Sequence, residues 1–87
     1  MPAPAPDRAV DDAPAPSQHD HVYLARLGLR LRVLRVERHL TQDQLADRAG
    51  LHRTYVSRLE RGQHNVTVLI LGRLAGALGV QCQELLP

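Results

Sequence analysis

Residues 40–62 read LTQDQLADRAGLHRTYVSRLERG, and this stretch decides the fold. Its first half carries a helix start signal, because the hydroxyl of Thr41 can cap a helix and Gln44, three residues later, can complete a capping box. Gly50 readily adopts the left-handed conformation that ends a helix. We therefore predict a helix, the second of the chain, that begins after Thr41 and ends near Ala49.

The second half of the stretch predicts a third helix, over about Arg53–Arg61, packed at an angle to the second. Val56 and Leu59 share its inward face. Ala46 is small where the two helices must approach, and Leu51 follows the turn glycine as an apolar plug. This order of residues is typical of a helix-turn-helix, which projects its second helix outward. Short hairpins in helical bundles use similar glycines, so the spacing alone leaves that alternative open.

Three more helices are expected around this pair. Thr67 can cap a fourth helix that ends near Leu78 before Gly79, and Gln81–Leu86 forms a short fifth. With no strand candidate, we predict an all-α fold with five helices. The first helix ends near His39 and is indicated by leucines at spacings of three, four and three residues, namely Leu24, Leu27, Leu31 and Leu34.

Five of the six prolines lie within residues 2–16, interleaved with Ala and Asp. Proline opposes helix formation and nothing apolar recurs in this segment, so we expect residues 1–20 to be a disordered tail and residues 21–87 to be one domain. His19 and His21 flank Asp20 with ligand-like spacing, but on such a tail we expect no metal site.

Composition and charge narrow the function classes. The chain has no Phe, no Trp and two Tyr, so its core must be aliphatic, which suits packed helices. Residues 1–20 hold one Arg and four Asp, a balance of −3, whereas residues 21–87 hold ten Arg and five acidic residues, a balance of +5. A basic folded part is expected of a nucleic-acid binder, although a solvated arginine-rich surface would give the same balance.

The chemistry of catalysis is missing from the sequence. We find no phosphate-binding loop, no paired acids in a plausible pocket and no nucleophile–base pair, and we expect neither an enzyme nor a cofactor. Cys82 is the single cysteine, no stretch approaches a membrane span, and the N-terminus lacks the features of a signal peptide. These observations favour a cytoplasmic protein, associated with the nucleoid when it is bound to DNA.

The stretch from Leu27 to Leu86 resembles the domain shared by lambda-type phage repressors, Cro-like proteins and regulators of the xenobiotic-response-element type. The segments LTQDQLADRAGL, YVSRLERG and LAGALGV each resemble a signature of that family at its relative spacing. RTYVSRLERG, followed by Asn65 and Thr67, is similar to the controller proteins of restriction–modification systems. The resemblance implies a lambda-repressor-like, DNA-binding fold.

The resemblance also implies roles for individual residues. Gln42 matches a phosphate-contacting glutamine, and Arg35 and Glu60 match a partly buried ion pair between the first and third helices. His39 stands where the family usually has glycine, which implies a left-handed backbone there. The candidate DNA-binding residues include four matched to base edges (His52, Arg53, Thr54 and Arg58), four matched to the DNA backbone (Arg61, Gln63, His64 and Asn65), the phosphate-contacting Gln42, and Ser57, which shares the outward face of the third helix.

The fourth helix suggests how the chain assembles. Its sequence, VTVLILGRLAGALGV, is apolar nearly all round, and such a helix must be covered. We expect the stripe Val68, Leu71, Leu74 or Ala75, and Leu78 to face inward, while a poorly optimised surface helix remains the alternative for the other side. The predicted homodimer interface is the second stripe and its edge, namely Leu69, Gly72, Gly76, Cys82, Leu85 and Leu86.

These observations predict a sequence-specific regulator of transcription that binds double-stranded DNA as a homodimer on a near-palindromic operator. The alternative is a protein-interaction module of the same fold that does not bind DNA sequence-specifically. Gln63 and His64 stand where the family often has Lys or Arg, which slightly favours the alternative.

Overall fold

The computed structural model describes residues 17–87, and the predicted tail therefore lies outside it except for its last four residues. Within the described residues the protein is all-helical, as predicted. The α-helices are α1 (Gln18–Glu37), α2 (Gln42–Ala49), α3 (Arg53–Glu60) and α4 (Val68–Leu78), and they are followed by a short 3-10 helix (Cys82–Glu84). The predicted fifth helix over Gln81–Leu86 is not present as an α-helix; the structure has a 3-10 helix of three residues there, Cys82–Glu84.

Helix α1 begins at Gln18, three residues before the predicted start of the domain at His21. Ser17 caps it: its backbone N–H donates to the Asp20 carboxylate over 3.0 Å, and its hydroxyl accepts from the Asp20 N–H over 3.1 Å. The hydrogen bond from the Ser17 backbone lowers the pKa of Asp20 below its usual value. This capping box was not predicted, because the proline-rich sequence before it indicated a disordered tail.

The remaining helix ends follow the sequence closely. Thr41 and Gln44 form the predicted capping box, and Gly50 and Gly79 adopt the left-handed conformation after α2 and α4. His39 also has a positive φ, 56°, as the resemblance implied, and this costs a non-glycine residue about 1–2 kcal/mol. His52 precedes α3 without a side-chain cap. These local features define the turns that orient α3.

The core is aliphatic, as the composition predicted. Val68 was predicted to face inward, and this was wrong, because its side chain is 81% exposed. The buried residues of α4 are Leu71, Leu74, Ala75 and Leu78. Leu85 was predicted to lie in the homodimer interface, and this was also wrong, because its side chain is completely buried in the core and cannot contact a partner. The fully buried side chains are Leu31, Leu45, Val56, Leu59, Leu74 and Leu85.

Helices α1 and α3 approach each other more closely than side chains would allow. A Cβ atom on the buried Gly28 would lie 2.3 Å from the backbone oxygen of Leu59. Gly62 comes equally close to α1, where a Cβ would lie 2.8 Å from the Cα of Ala25. The C-terminal end of α3 is therefore fixed against the backbone of α1, and the opposite face of α3 points outward.

Two arginines tie α1 to the C-terminal part of the chain. The Nε of Arg38 donates to the backbone oxygen of Leu78 at the end of α4. The Nε of Arg30 donates to the backbone oxygen of Glu84 over 2.7 Å. Both arginines thus satisfy carbonyl groups at helix ends, and they fasten α1 to the C-terminal part of the domain.

Candidate nucleic-acid interface

An ion pair between α1 and α3 organises the site. Arg35 meets Glu60 through two bonds, Nε to Oε2 at 2.6 Å and Nη2 to Oε1 at 3.0 Å. Its Nη1 also donates to the backbone oxygen of Leu40 over 2.8 Å. The two side chains are 12% and 4% exposed. Hydrogen bonding to Glu60 raises the pKa of Arg35 above its usual value. The bonds of Arg35 hold α1, α3 and the α1–α2 loop together.

Gln42, the first residue of α2, is positioned by this ion pair. Its side-chain Nε2 donates to the Oε1 of Glu60 over 3.1 Å. Gln42 lines a surface groove with Arg32 and Arg61, together with Ser57 and the Arg35–Glu60 pair. Because the carboxylate in this groove already pairs with Arg35, the guanidinium groups of Arg32 and Arg61 leave the groove positively charged. An anion such as a phosphate fits this chemistry.

Arg32 lines this groove but was not among the predicted DNA-binding residues. It lies three residues before Arg35 on α1, and residues at that spacing are neighbours on a helix surface. That spacing was the available signal, but only the packing of α3 on α1 places Arg32 beside Gln42 and Arg61.

The outward face of α3 presents the predicted base-reading residues to solvent. Arg53, Thr54 and Arg58 are exposed, and Ser57 is half-buried. Arg61 lies back along the helix, where its Nη2 donates to the Ser57 hydroxyl over 3.0 Å. The face is therefore polar along its length, as its position opposite the core predicted.

The head of α3 lies against α2. The Nε of Arg53 is 3.6 Å from Oδ1 of Asp43, and both side chains are largely exposed. His52 is exposed beside them. His52 and Arg53 were matched to base edges, and the structure brings them to the same open end of the helix pair.

The loop after α3 is held by Tyr55, a residue that the sequence analysis did not single out. The Tyr55 hydroxyl donates to the backbone oxygen of Asn65 over 3.2 Å, and its ring stacks edge-on with His64 at 4.8 Å between centroids. The backbone N–H of Gln63 donates to the oxygen of Arg58 over 2.9 Å. Tyr55 is one of two tyrosines in a chain without Phe or Trp, and this rarity was the available signal that it holds the loop. Gln63, His64 and Asn65 are exposed at the end of α3.

Five of the six predicted interface residues are exposed, and three of these five lie on α4. Leu69 is 79% exposed, and a Cβ on Gly72 or Gly76 would meet nothing within 4 Å. Cys82 is exposed and so is Leu86. Leu85 does not belong to this surface, because it is buried in the core. Val68 does belong to it, so the apolar patch is wider at the start of α4 than the sequence predicted.

Over residues 17–87, no helix is both long and apolar enough to cross a bilayer. The same part of the chain holds no group of three or more His, Cys, Asp and Glu residues arranged to bind a metal ion.

Comparison with known proteins decides the family. The family model described as helix-turn-helix matches residues 31–85, which include the last seven residues of α1 and all of α2, α3 and α4. The chain belongs to this helix-turn-helix family. Within it, α2 and α3 are the two helices of the motif, and α3 occupies the position of the helix that reads DNA.

Relatives of this helix-turn-helix protein include controllers and repressors. It is 46% identical over 55 residues to an immunity repressor protein of Bacillus phage phi105, a match that covers 63% of this chain and 38% of the repressor. The crystal structure of the restriction–modification controller protein C.AhdI from Aeromonas hydrophila is similar with a TM-score of 0.71 and 45% identity, and the match covers 71% of this chain and 94% of the controller.

A further structural relative was solved with DNA. The restriction–modification controller protein C.Esp1396I, as a tetramer in complex with its natural 35 base-pair operator, is similar with a TM-score of 0.65 and 32% identity. The match covers 68% of this chain and 78% of that controller.

Proposed function

We propose that this protein regulates transcription by binding a specific double-stranded DNA operator as a homodimer. The observation that carries the proposal is the polar, exposed face of α3, with Arg53 and Arg58, beside the positive groove of Arg32, Gln42 and Arg61. A relative of the same family was solved on its operator, which supports DNA as the partner.

The groove and the helix face perform different tasks. Phosphate contacts fix a protein on DNA without reading its sequence, whereas base edges in the major groove specify it. Gln42, Arg32 and Arg61 are placed to hold phosphates. Arg53, at the head of α3, can direct its planar guanidinium to the O6 and N7 atoms of guanine. Thr54 offers a hydroxyl, or a methyl group for contact with thymine.

The α4 surface supplies the dimer interface. Val68 and Leu69 are about four-fifths exposed, and the open surfaces of Gly72 and Gly76 allow another backbone to approach. Burial of this apolar patch against a second copy is favourable. A symmetric pair then presents two α3 helices to successive major grooves, about 34–36 Å apart on a near-palindromic site.

In this proposal the protein acts by binding and not by catalysis, and it needs no cofactor. Its place is the cytoplasm, together with the DNA that it binds. Control comes from the concentration of the protein, because dimerisation and DNA occupancy both depend on it.

An interaction module that does not read DNA is the second candidate. The exposed apolar stripe on α1, formed by Leu29, Val33 and Val36, favours it. A protein partner would cover that stripe, and the DNA proposal has no role for it.

Selection of bound duplexes from a random pool separates the two candidates. We expect a near-palindromic consensus whose affinity falls by about three to five decades between 50 and 200 mM salt, as for a dimer that neutralises roughly 6 to 10 phosphates. Absence of a consensus, or binding that ignores salt, would favour the interaction module.

A further inference from the structure

The head of α3 carries an acidic neighbour that a simple DNA-binding surface would avoid. Asp43, the second residue of α2, lies with its Oδ1 3.6 Å from the Nε of Arg53. That distance is too long for a hydrogen bond, so the contact is purely electrostatic. It orients the guanidinium and leaves its N–H donors free for another acceptor.

A second carboxylate adds negative charge beside Arg53. Asp47 lies four residues after Asp43 on the same face of α2, and both line a shallow cleft with Leu51, His52 and Arg53. Two carboxylates beside one guanidinium leave the cleft with a charge of −1 when His52 is neutral. A DNA phosphate that approaches this end of α3 is repelled. The acids therefore oppose non-specific capture of phosphate by Arg53.

Guanine is the acceptor that this arrangement favours. It presents O6 and N7 to a bidentate arginine, and Asp43 orients the guanidinium while leaving its donors free to reach both atoms. A phosphate offers acceptors to the arginine but only repulsion to the acid. Discrimination by a repulsive element is a general route to specificity.

We propose that Asp43 is a positioning residue that makes Arg53 selective for a G·C base pair in the operator. This inference rests on the proposed function, because it assumes that Arg53 reads a base. It adds a residue on α2, outside the base-reading helix, that determines which base pair the site prefers.

The test compares Asp43→Asn with Asp47→Asn. Both variants remove one negative charge from the same cleft, but among residues 17–87 only Asp43 forms an ion pair with Arg53. The probes are the duplex selected by the wild-type protein and a set of duplexes in which each G·C pair in turn is replaced by A·T. Fluorescence anisotropy at fixed salt gives the affinity ratio at each position.

We expect Asp43→Asn to lower the affinity ratio at one G·C position by about two- to fivefold, the range of a surface ion pair. Asp47→Asn should raise the affinity for all duplexes together and leave that ratio unchanged. Asp43→Glu, which keeps the charge, should retain most of the ratio. In an Arg53→Ala background, Asp43→Asn should no longer change the ratio, because the two residues act as a unit.

The outcomes distinguish failure of the proposed function from failure of the role proposed for Asp43. If selection yields no consensus, the proposed reading of DNA fails and this inference falls with it. If a consensus appears but Arg53→Ala leaves every ratio intact, Arg53 reads no base pair, and this inference falls while specific binding of DNA stands. If Arg53→Ala removes discrimination at one G·C position but Asp43→Asn and Asp47→Asn have equal effects there, only the role of Asp43 is overturned. Circular dichroism of each variant verifies that the helices are intact.

Discussion

Replacing Glu60 with Gln tests whether the Arg35–Glu60 pair holds the DNA-binding face in place. The substitution keeps the shape of the side chain but removes its charge, and it puts an amide N–H₂ group where donors from Arg35 or Gln42 now point. Arg35, at 12% exposure, is then a nearly buried cation without a counter-charge.

The expected loss follows from the burial of the pair. Removing one partner of a buried ion pair typically costs about 3–5 kcal/mol. Because water reaches part of Arg35, we expect the free energy of unfolding to fall by about 2–4 kcal/mol. For a domain of this size that corresponds to a decrease in Tm of roughly 10–30 °C.

The measurement is urea and thermal unfolding followed by circular dichroism at pH 7 and one protein concentration. Glu37→Gln is the matched control, because Glu37 is 62% exposed and its contact with Arg38 spans 4.0 Å. That control should lose less than about 0.5 kcal/mol. A double variant with Met at positions 35 and 60 should recover most of the stability. Equal losses for Glu60→Gln and Glu37→Gln would refute this reasoning.

Three other predictions concern packing, assembly and pH. Gly28→Ala should destabilise the fold by about 1–3 kcal/mol, since its methyl group meets the backbone of α3; thermal unfolding measures the loss, and an unchanged Tm would contradict the close approach of α1 and α3. Leu69→Glu should dissociate the dimer and keep the helix content, and sedimentation equal to that of the wild type would place the interface elsewhere. The pKa of Asp20 is lowered in the folded state, so its carboxylate stabilises the fold at pH values above the unfolded pKa of 3.8, and this contribution is lost as the pH falls through the folded pKa. Asp20→Asn should abolish this pH dependence of the free energy of unfolding. An unchanged acid-unfolding profile would contradict the capping role of Asp20.

Local signals in the sequence were sufficient for most helix ends. Thr41 and Gln44 lie three residues apart, and the side chain of each bonds to the backbone of the other, so their capping box does not depend on the rest of the fold. Gly50 and His39 have positive φ values set by the turns that contain them. Ser17 and Asp20 carried a signal of the same kind, which the surrounding prolines obscured.

Features set by packing between distant segments could not be predicted. The buried position of Gly28 depends on a helix some thirty residues further along the chain. Leu85 and Val68 exchanged the expected environments: Leu85, directly after the 3-10 helix, is buried in the core, whereas Val68 at the start of α4 is exposed. The approach of Asp43 to Arg53 and the grouping of Arg32 with Gln42 and Arg61 likewise require the angle between helices.

Base reading by Arg53 is the central claim, and one pair of titrations tests it most directly. Arg53→Ala and Arg61→Ala are each titrated against the selected duplex and a scrambled duplex of equal length at the same salt concentration. Arg53→Ala should weaken binding to the selected duplex by about 1–3 kcal/mol and leave the scrambled duplex almost unchanged. Arg61→Ala should weaken both in similar proportion, because a phosphate contact carries little sequence information. Equal losses on both duplexes for Arg53→Ala would contradict the base-reading role.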